Sequence, residues 1–161
     1  MTTPRSGLLA DAPLEQLFPE AGPQDLEVIR REAARLDAAL GPLGPARWEW
    51  EPGVLVTDLT VGEDDPVEYT LQVDCSEGAG PCVFAGVSVA CGCAEDHRTH
   101  LVDQAPVYLT EMTSLHEGTE LGTAFSFAAW ELAGWLARPR DAARWRALNG
   151  LPAPPTAAHG D

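Results

Sequence analysis

From Val67 to Cys75, apolar and polar side chains alternate without a break. Val67, Tyr69, Leu71, Val73 and Cys75 fall on one side, Glu68, Thr70, Gln72 and Asp74 on the other. A period of two is that of a pleated strand with one buried and one wet face. The same rhythm runs through "CVFAGVSVACGC", where Val83, Ala85, Val87, Val89 and Cys91 share a side, and through "RWEWEPG" and "GVLVTDLTVG". "EDDP" and "SEGAGP" supply turns between these runs. The pattern predicts an antiparallel meander of about four strands, with Cys75 opposite Val83 and Cys82 turned to the other face. "HLVDQAPVYLTEMTSL" adds an extended segment around Val107–Met112.

On either side of the meander the period lengthens. Leu26, Ile29, Ala33, Leu36 and Leu40 recur at steps of three and four, which predicts an amphipathic helix. Pro23 suits its first position, Asp25 and Glu27 its positive end, and Gly41-Pro42 its stop. Glu27 and Arg31 stand at i,i+4 for a surface pair. "PLEQLFPE" upstream reads as a single helical turn pinned by Leu14, Leu17 and Phe18. A second long helix is predicted over Thr119–Arg138, with Leu121, Phe125, Ala128, Leu132, Trp135 and Leu136 on its core face. Gly122, Ser126, Ala129, Ala133 and Ala137 form a small-residue flank that permits close approach of another element. A third helix runs from Pro139 to Asn149-Gly150. Trp48, Trp50, Phe127 and Trp130 have no place in these stripes and are assigned by default to a second core layer.

This order of elements predicts an α+β fold: an antiparallel sheet of about four to five strands with an N-terminal helix and C-terminal helices packed on one face. Residues 13–150 form one domain in this reading, between a disordered N-terminus over 1–12 and a Pro-rich disordered tail over 151–161. A chain of 161 residues with 45% apolar content can bury a core without staples. No basic stretch followed by a sustained apolar run opens the sequence, and the longest apolar helix is too short to span a bilayer. The expected compartment is the cytoplasm, where Cys75, Cys82, Cys91 and Cys93 are thiols or metal ligands rather than disulfides.

Charge changes the picture most. The chain has 25 acidic and ten basic residues, all of the latter arginine, for a net charge of −15. From Trp48 to Ala137 sixteen acids face a single base, Arg98, whereas the two flanks together balance nine acids with nine arginines. The whole imbalance therefore belongs to the middle of the chain. Such a field repels nucleic-acid backbone and anionic lipid and attracts basic partners or cations. Glu68 and Asp74 fall on the wet face of the sheet, with Glu49, Glu51 and Asp58 as further candidates, and Glu63, Asp64 and Asp65 crowd one turn.

Two candidate chemical sites follow. Cys91, Cys93, His97 and His100 lie within "CGCAEDHRTH", a C-x-C-x3-H-x2-H spacing that allows zinc if the chain bends near Gly92. The competing reading is a buried thiol at Cys91, continuing the row of Val87 and Val89, beside surface histidines. His116 with Glu117 or Glu111 offers a general acid–base pair for a small-molecule enzyme, although "HEGTE" lacks the second histidine of a metalloprotease helix. No phosphate loop or nucleophile elbow is present, and the negative field disfavours a catalytic thiolate, so the balance is against an enzyme.

The function expected first is a non-catalytic acidic interaction protein, with a homodimer as one form it could take, that binds a basic protein segment. Glu63, Asp64, Asp65, Glu68, Asp74 and Trp130 are its contact residues, and it needs no cofactor. Small acidic helix-first domains of this shape and charge occur among adaptors, secretion chaperones and toxin-immunity proteins, an analogy without a motif behind it. The alternatives are the zinc-binding protein and the His116 enzyme.

Overall fold

A computed structural model describes residues 5–43, 48–75, 82–94, 99–108 and 119–155. The fold is α+β. Among the described residues six antiparallel strands lie in the order of the chain: β1 (Arg5–Gly7), β2 (Trp48–Glu51), β3 (Val54–Val61), β4 (Val67–Asp74), β5 (Cys82–Ala90) and β6 (Thr99–Tyr108). Among the described residues four α-helices accompany them: α1 (Leu14–Leu17), α2 (Pro23–Leu40), α3 (Thr119–Ala137) and α4 (Ala142–Leu148).

The strand ladder follows the alternation in the sequence. Leu71 pairs with Thr57 on one side and Ala85 on the other, and Tyr69 with Leu59 and Val87. Trp48, Trp50, Leu55, Leu59, Val67, Leu71, Val73, Val83, Val87 and Val89 are all buried and form one inner face. They belong to the same cluster as Leu121, Phe125, Ala128, Leu132, Trp135 and Leu136 of α3. That helix lies against β4, β5 and β6, while α2 runs beside it. Trp48 and Trp50, unplaced by the helical stripes, complete the inner face of β2.

The small-residue flank of α3 is where α2 comes closest. A Cβ on Gly122 would stand 2.6 Å from Asp25 Oδ1 and 3.0 Å from Asp25 Cα. Only glycine permits that separation. The charges of α2 are spent locally: Arg30 pairs with Glu15 of α1, and Glu32 Oε1 lies 3.6 Å from Arg31 Nε and 3.7 Å from Arg35 Nη1. Arg31 thus turns to Glu32 rather than to Glu27.

The structure departs from the expectations at several points. Residues 1–12, expected to be disordered, include β1, which pairs Arg5 with Trp50 and Gly7 with Trp48. The cause is long-range. Leu9 is fully buried, and the backbone N–H groups of Leu9 and Ala10 donate to the Asp37 carboxylate at 3.2 and 3.0 Å. The start of the tail is likewise anchored: Leu151 packs on the core and its N–H donates to Arg146 O at 2.9 Å. The later part, 156–161, lies outside the described residues. The extended segment expected at Val107–Met112 is β6, which begins at Thr99; its chain after Tyr108 also lies outside them. The β4–β5 register pairs Val83 with Val73 and Cys82 with Asp74, two residues from the expected pairing of Val83 with Cys75. A shift of two keeps every side chain on its face, so the alternation alone could not choose between the two registers. Phe127 and Trp130, assigned to a second core layer, are 47% and 72% exposed. No described helix is long and apolar enough to cross a membrane.

Replacing Gly122 with Ala should destabilise the protein by about 1–3 kcal/mol through overpacking, despite alanine's better helix propensity. Chemical denaturation measures this, and an unchanged or raised midpoint contradicts the close α2–α3 approach.

Candidate functional site

With the odd-numbered residues of β4 and β5 committed to the core, the even-numbered ones form the outer face. Cross-strand pairing sets them in rows: Glu51, Val54, Asp74 and Cys82; then Glu49, Val56, Gln72 and Phe84; then Asp58, Thr70 and Gly86; then Thr60, Glu68 and Ser88. Glu49, Glu51, Asp58 and Glu68 are exposed and Asp74 is half-buried. Between them Val54, Val56 and Phe84 are only half-buried and are absent from the core cluster. Carboxylates and apolar side chains are therefore interleaved on one sheet face. Among the described residues no arginine occupies an outer-face position of β2 to β5. Phe84, Val54 and Val56 were not singled out from the sequence, although the parity that buries Val83 and Ala85 already turned Phe84 outward.

The β3–β4 turn divides its three acids. Glu63 and Asp64 are exposed. Asp65 is taken by Arg146 of α4, whose guanidinium donates from Nη1 to Oδ1 at 3.0 Å and from Nη2 to Oδ2. Arg146 Nη1 also donates to Ala90 O at 3.2 Å, and the side chain is nearly buried. This planar fork ties α4 to the turn and to the end of β5. Hydrogen bonding to Arg146 holds the Asp65 carboxyl below the usual carboxylate range, against the opposing effect of its burial. Asp65 thus anchors α4 to the turn while part of its carboxylate stays open to water, a pairing across 81 residues that sequence spacing could not show.

Trp130 is exposed but not beside the acids. It lies on the far side of α3, in shallow hollows lined also by Arg31, Phe127, Arg138 and Arg140. Trp130 thus stands on α3, whereas Glu68 and Asp74 stand on the outer face of β4.

None of the four cysteines forms a disulfide. Cys75 lies one residue beyond β4, its N–H donating to Gly53 O at 2.7 Å. Burial first, then the charges of Asp74 and Cys82, push its thiol up to about 11. The Cys82 thiol is also raised, by burial and then by Asp74. Cys91 continues the inner row, and its Sγ lies with Cys93 Sγ and a ring nitrogen of His100 so that all three atoms are within 4.8 Å of one another. Cys93 Sγ and His100 Nδ1 are 3.4 Å apart. His97, the fourth residue of the expected metal set, lies outside the described residues, as do His116, Glu117 and Glu111 of the acid–base candidate.

In comparisons with known proteins, no family model, curated sequence or solved structure matches this chain.

Arg146→Ala should cost about 1–2 kcal/mol, less than a fully buried pair because the Asp65 side is open to water. The lowered carboxyl contributes stability above its unfolded pKa and loses it as pH falls through the folded value. The wild-type advantage over Arg146→Ala should therefore shrink in acid, as urea denaturation from pH 7 to 3 would measure. Cys75 should behave oppositely. Its raised pKa stabilises the fold below about pH 9, the usual thiol range, and that contribution fades as pH climbs towards 11. Site-resolved alkylation should find Cys75 slow at pH 8, and a reactivity midpoint below pH 9 would contradict the burial.

Proposed function

We propose that this chain is a non-catalytic interaction protein whose outer sheet face receives a basic, partly apolar segment of a partner protein. The observation that carries this reading is the interleaving of Glu49, Glu51, Asp58, Glu68 and Asp74 with Val54, Val56 and Phe84 on a face that none of the described helices covers. One-sided antiparallel sheets commonly leave such a face to solvent. Here, however, the wet face is neither uniformly polar nor balanced in charge. A segment bearing arginine or lysine beside aliphatic side chains would find both its requirements on this surface. The carboxylates would steer encounter and set orientation, and the Val54–Val56–Phe84 strip would bury apolar area on contact. Glu63 and Asp64 extend the negative field past the turn. Four cysteines without a disulfide fit a reducing, cytoplasmic setting.

The test uses an amphipathic peptide of alternating arginine and leucine as probe, with amide chemical shifts recorded on the full chain. Shifts should cluster at Val56, Glu68 and Phe84, and affinity should fall roughly tenfold or more between 50 and 300 mM salt. Phe84→Ser should weaken binding while leaving the helical circular dichroism unchanged. Binding that ignores ionic strength, or shifts confined to Trp130 and Phe127 on α3, would refute the sheet face as the receptor.

A further inference from the structure

The end of the sheet next to the β3–β4 turn holds an arrangement that the acidic face does not explain. We propose that Cys91, Cys93 and His100 bind one zinc ion, which staples the end of β5 to the start of β6. This site is independent of the outer face, and neither proposal needs the other.

The donors are of the right kind. Two thiolates and an imidazole are soft to borderline ligands that select zinc over calcium or magnesium, which prefer oxygen. Binding releases one proton from each thiol and takes His100 as the neutral imidazole, so the two thiolates offset the double charge of the ion. The surrounding chain, with net charge −15, adds a field that attracts cations.

The spacing also fits. With zinc–sulfur bonds of about 2.3 Å and zinc–nitrogen bonds of about 2.0 Å, tetrahedral ligation sets sulfur and nitrogen about 3.5 Å apart and two sulfurs nearly 4 Å apart. Cys93 Sγ and His100 Nδ1 already stand 3.4 Å apart, and no pair in the trio exceeds 4.8 Å. Closure on an ion takes a side-chain adjustment of about an ångström. Three protein ligands leave one tetrahedral position for a further donor.

Two backbone features bring the trio together. In β6, Val107, Ala105 and Asp103 pair with Val83, Ala85 and Val87 of the inner row, and then the register slips: Leu101 pairs with Ser88 and His100 with Val89. Val102 is the extra residue of a β-bulge. Had the ladder continued without it, His100 would have paired with Ala90 and faced outward. The bulge moves it to the inner-row side, next to Cys91. The second feature is Gly92, between the two cysteines. Its N–H donates to Pro152 O at 3.1 Å, and a Cβ there would stand 2.1 Å from Ala153 O. The start of the C-terminal tail thus crosses directly over the C-x-C segment and holds it in place, which requires glycine between the ligands.

The full-length protein, stripped with a chelator, is titrated with zinc or cobalt(II) alone. We expect one ion per chain, thiolate-to-cobalt charge-transfer absorption, and zinc protection of Cys91 and Cys93, but not Cys75 or Cys82, from alkylation. Cys93→Ser and His100→Ala should each lose stoichiometric uptake, while Cys75→Ser keeps it. Substoichiometric metal in the wild type, or unchanged uptake by a folded Cys93→Ser, overturns the site. If either variant fails to fold, the wild-type alkylation pattern decides: protection at Cys75 and Cys82, or at none of the four, overturns it.

Discussion

The contact between α3 and the inner face of β4, β5 and β6 is the constraint on which the rest of the molecule depends. Leu121, Phe125, Ala128 and Leu132 meet a row of valines and leucines from which water is excluded. Apolar burial of this kind is the main favourable contribution to folding. It also leaves the strands little freedom elsewhere. Once odd-numbered positions of β4 and β5 are buried, the even-numbered ones must face away, because a pleated strand has only two sides. The outer face of acids and apolar residues is therefore a geometric consequence of the core. Meanwhile α2 is held beside α3 by a flank where Gly122 admits the backbone of Asp25.

Electrostatics divides the molecule along the same layers. On the helical side, charges are settled between neighbours: Glu15 with Arg30, Glu32 near Arg31 and Arg35, and Asp141 as the cap of α4, accepting from Arg144 N–H at 2.8 Å. One arginine leaves that layer, where Arg146 reaches Asp65. The cross-strand partners of Glu49, Glu51, Asp58 and Glu68 on the outer face are valine, threonine and serine, none of them basic. Like charges spread across a sheet repel one another and oppose compaction. A basic partner would relieve that repulsion, which links the cost of the surface to the use proposed for it.

At the far end of β5 a single inserted residue has a large effect. The Val102 bulge changes which side of β6 His100 occupies, and the tail crossing Gly92 fixes the neighbouring cysteines. Bulges often re-aim a side chain in this way. The resulting Cys–Cys–His group joins an edge strand to its neighbour, where pairing on one side only leaves the ladder least supported.

The sequence by itself determined the elements and their faces. Period two marked β2 to β5, period 3.6 marked α2 and α3, and the cap residues ended α2 at Leu40. These are local signals, carried by neighbouring side chains. It also located the charge excess, since counting needs no coordinates. What only the tertiary structure decided depends on residues distant in the chain. A register offset of two preserves every face, so the pairing of Cys82 with Asp74 came from the assembled sheet. The order of residues 5–12 came from Asp37, the pairing of Asp65 came from Arg146, and the exposure of Trp130 came from the absence of a further layer over that side of α3 among the described residues. The position of His100 came from a bulge that no periodicity announces. Period and propensity act over a few residues; these contacts are chosen by packing and hydrogen bonding across the whole fold.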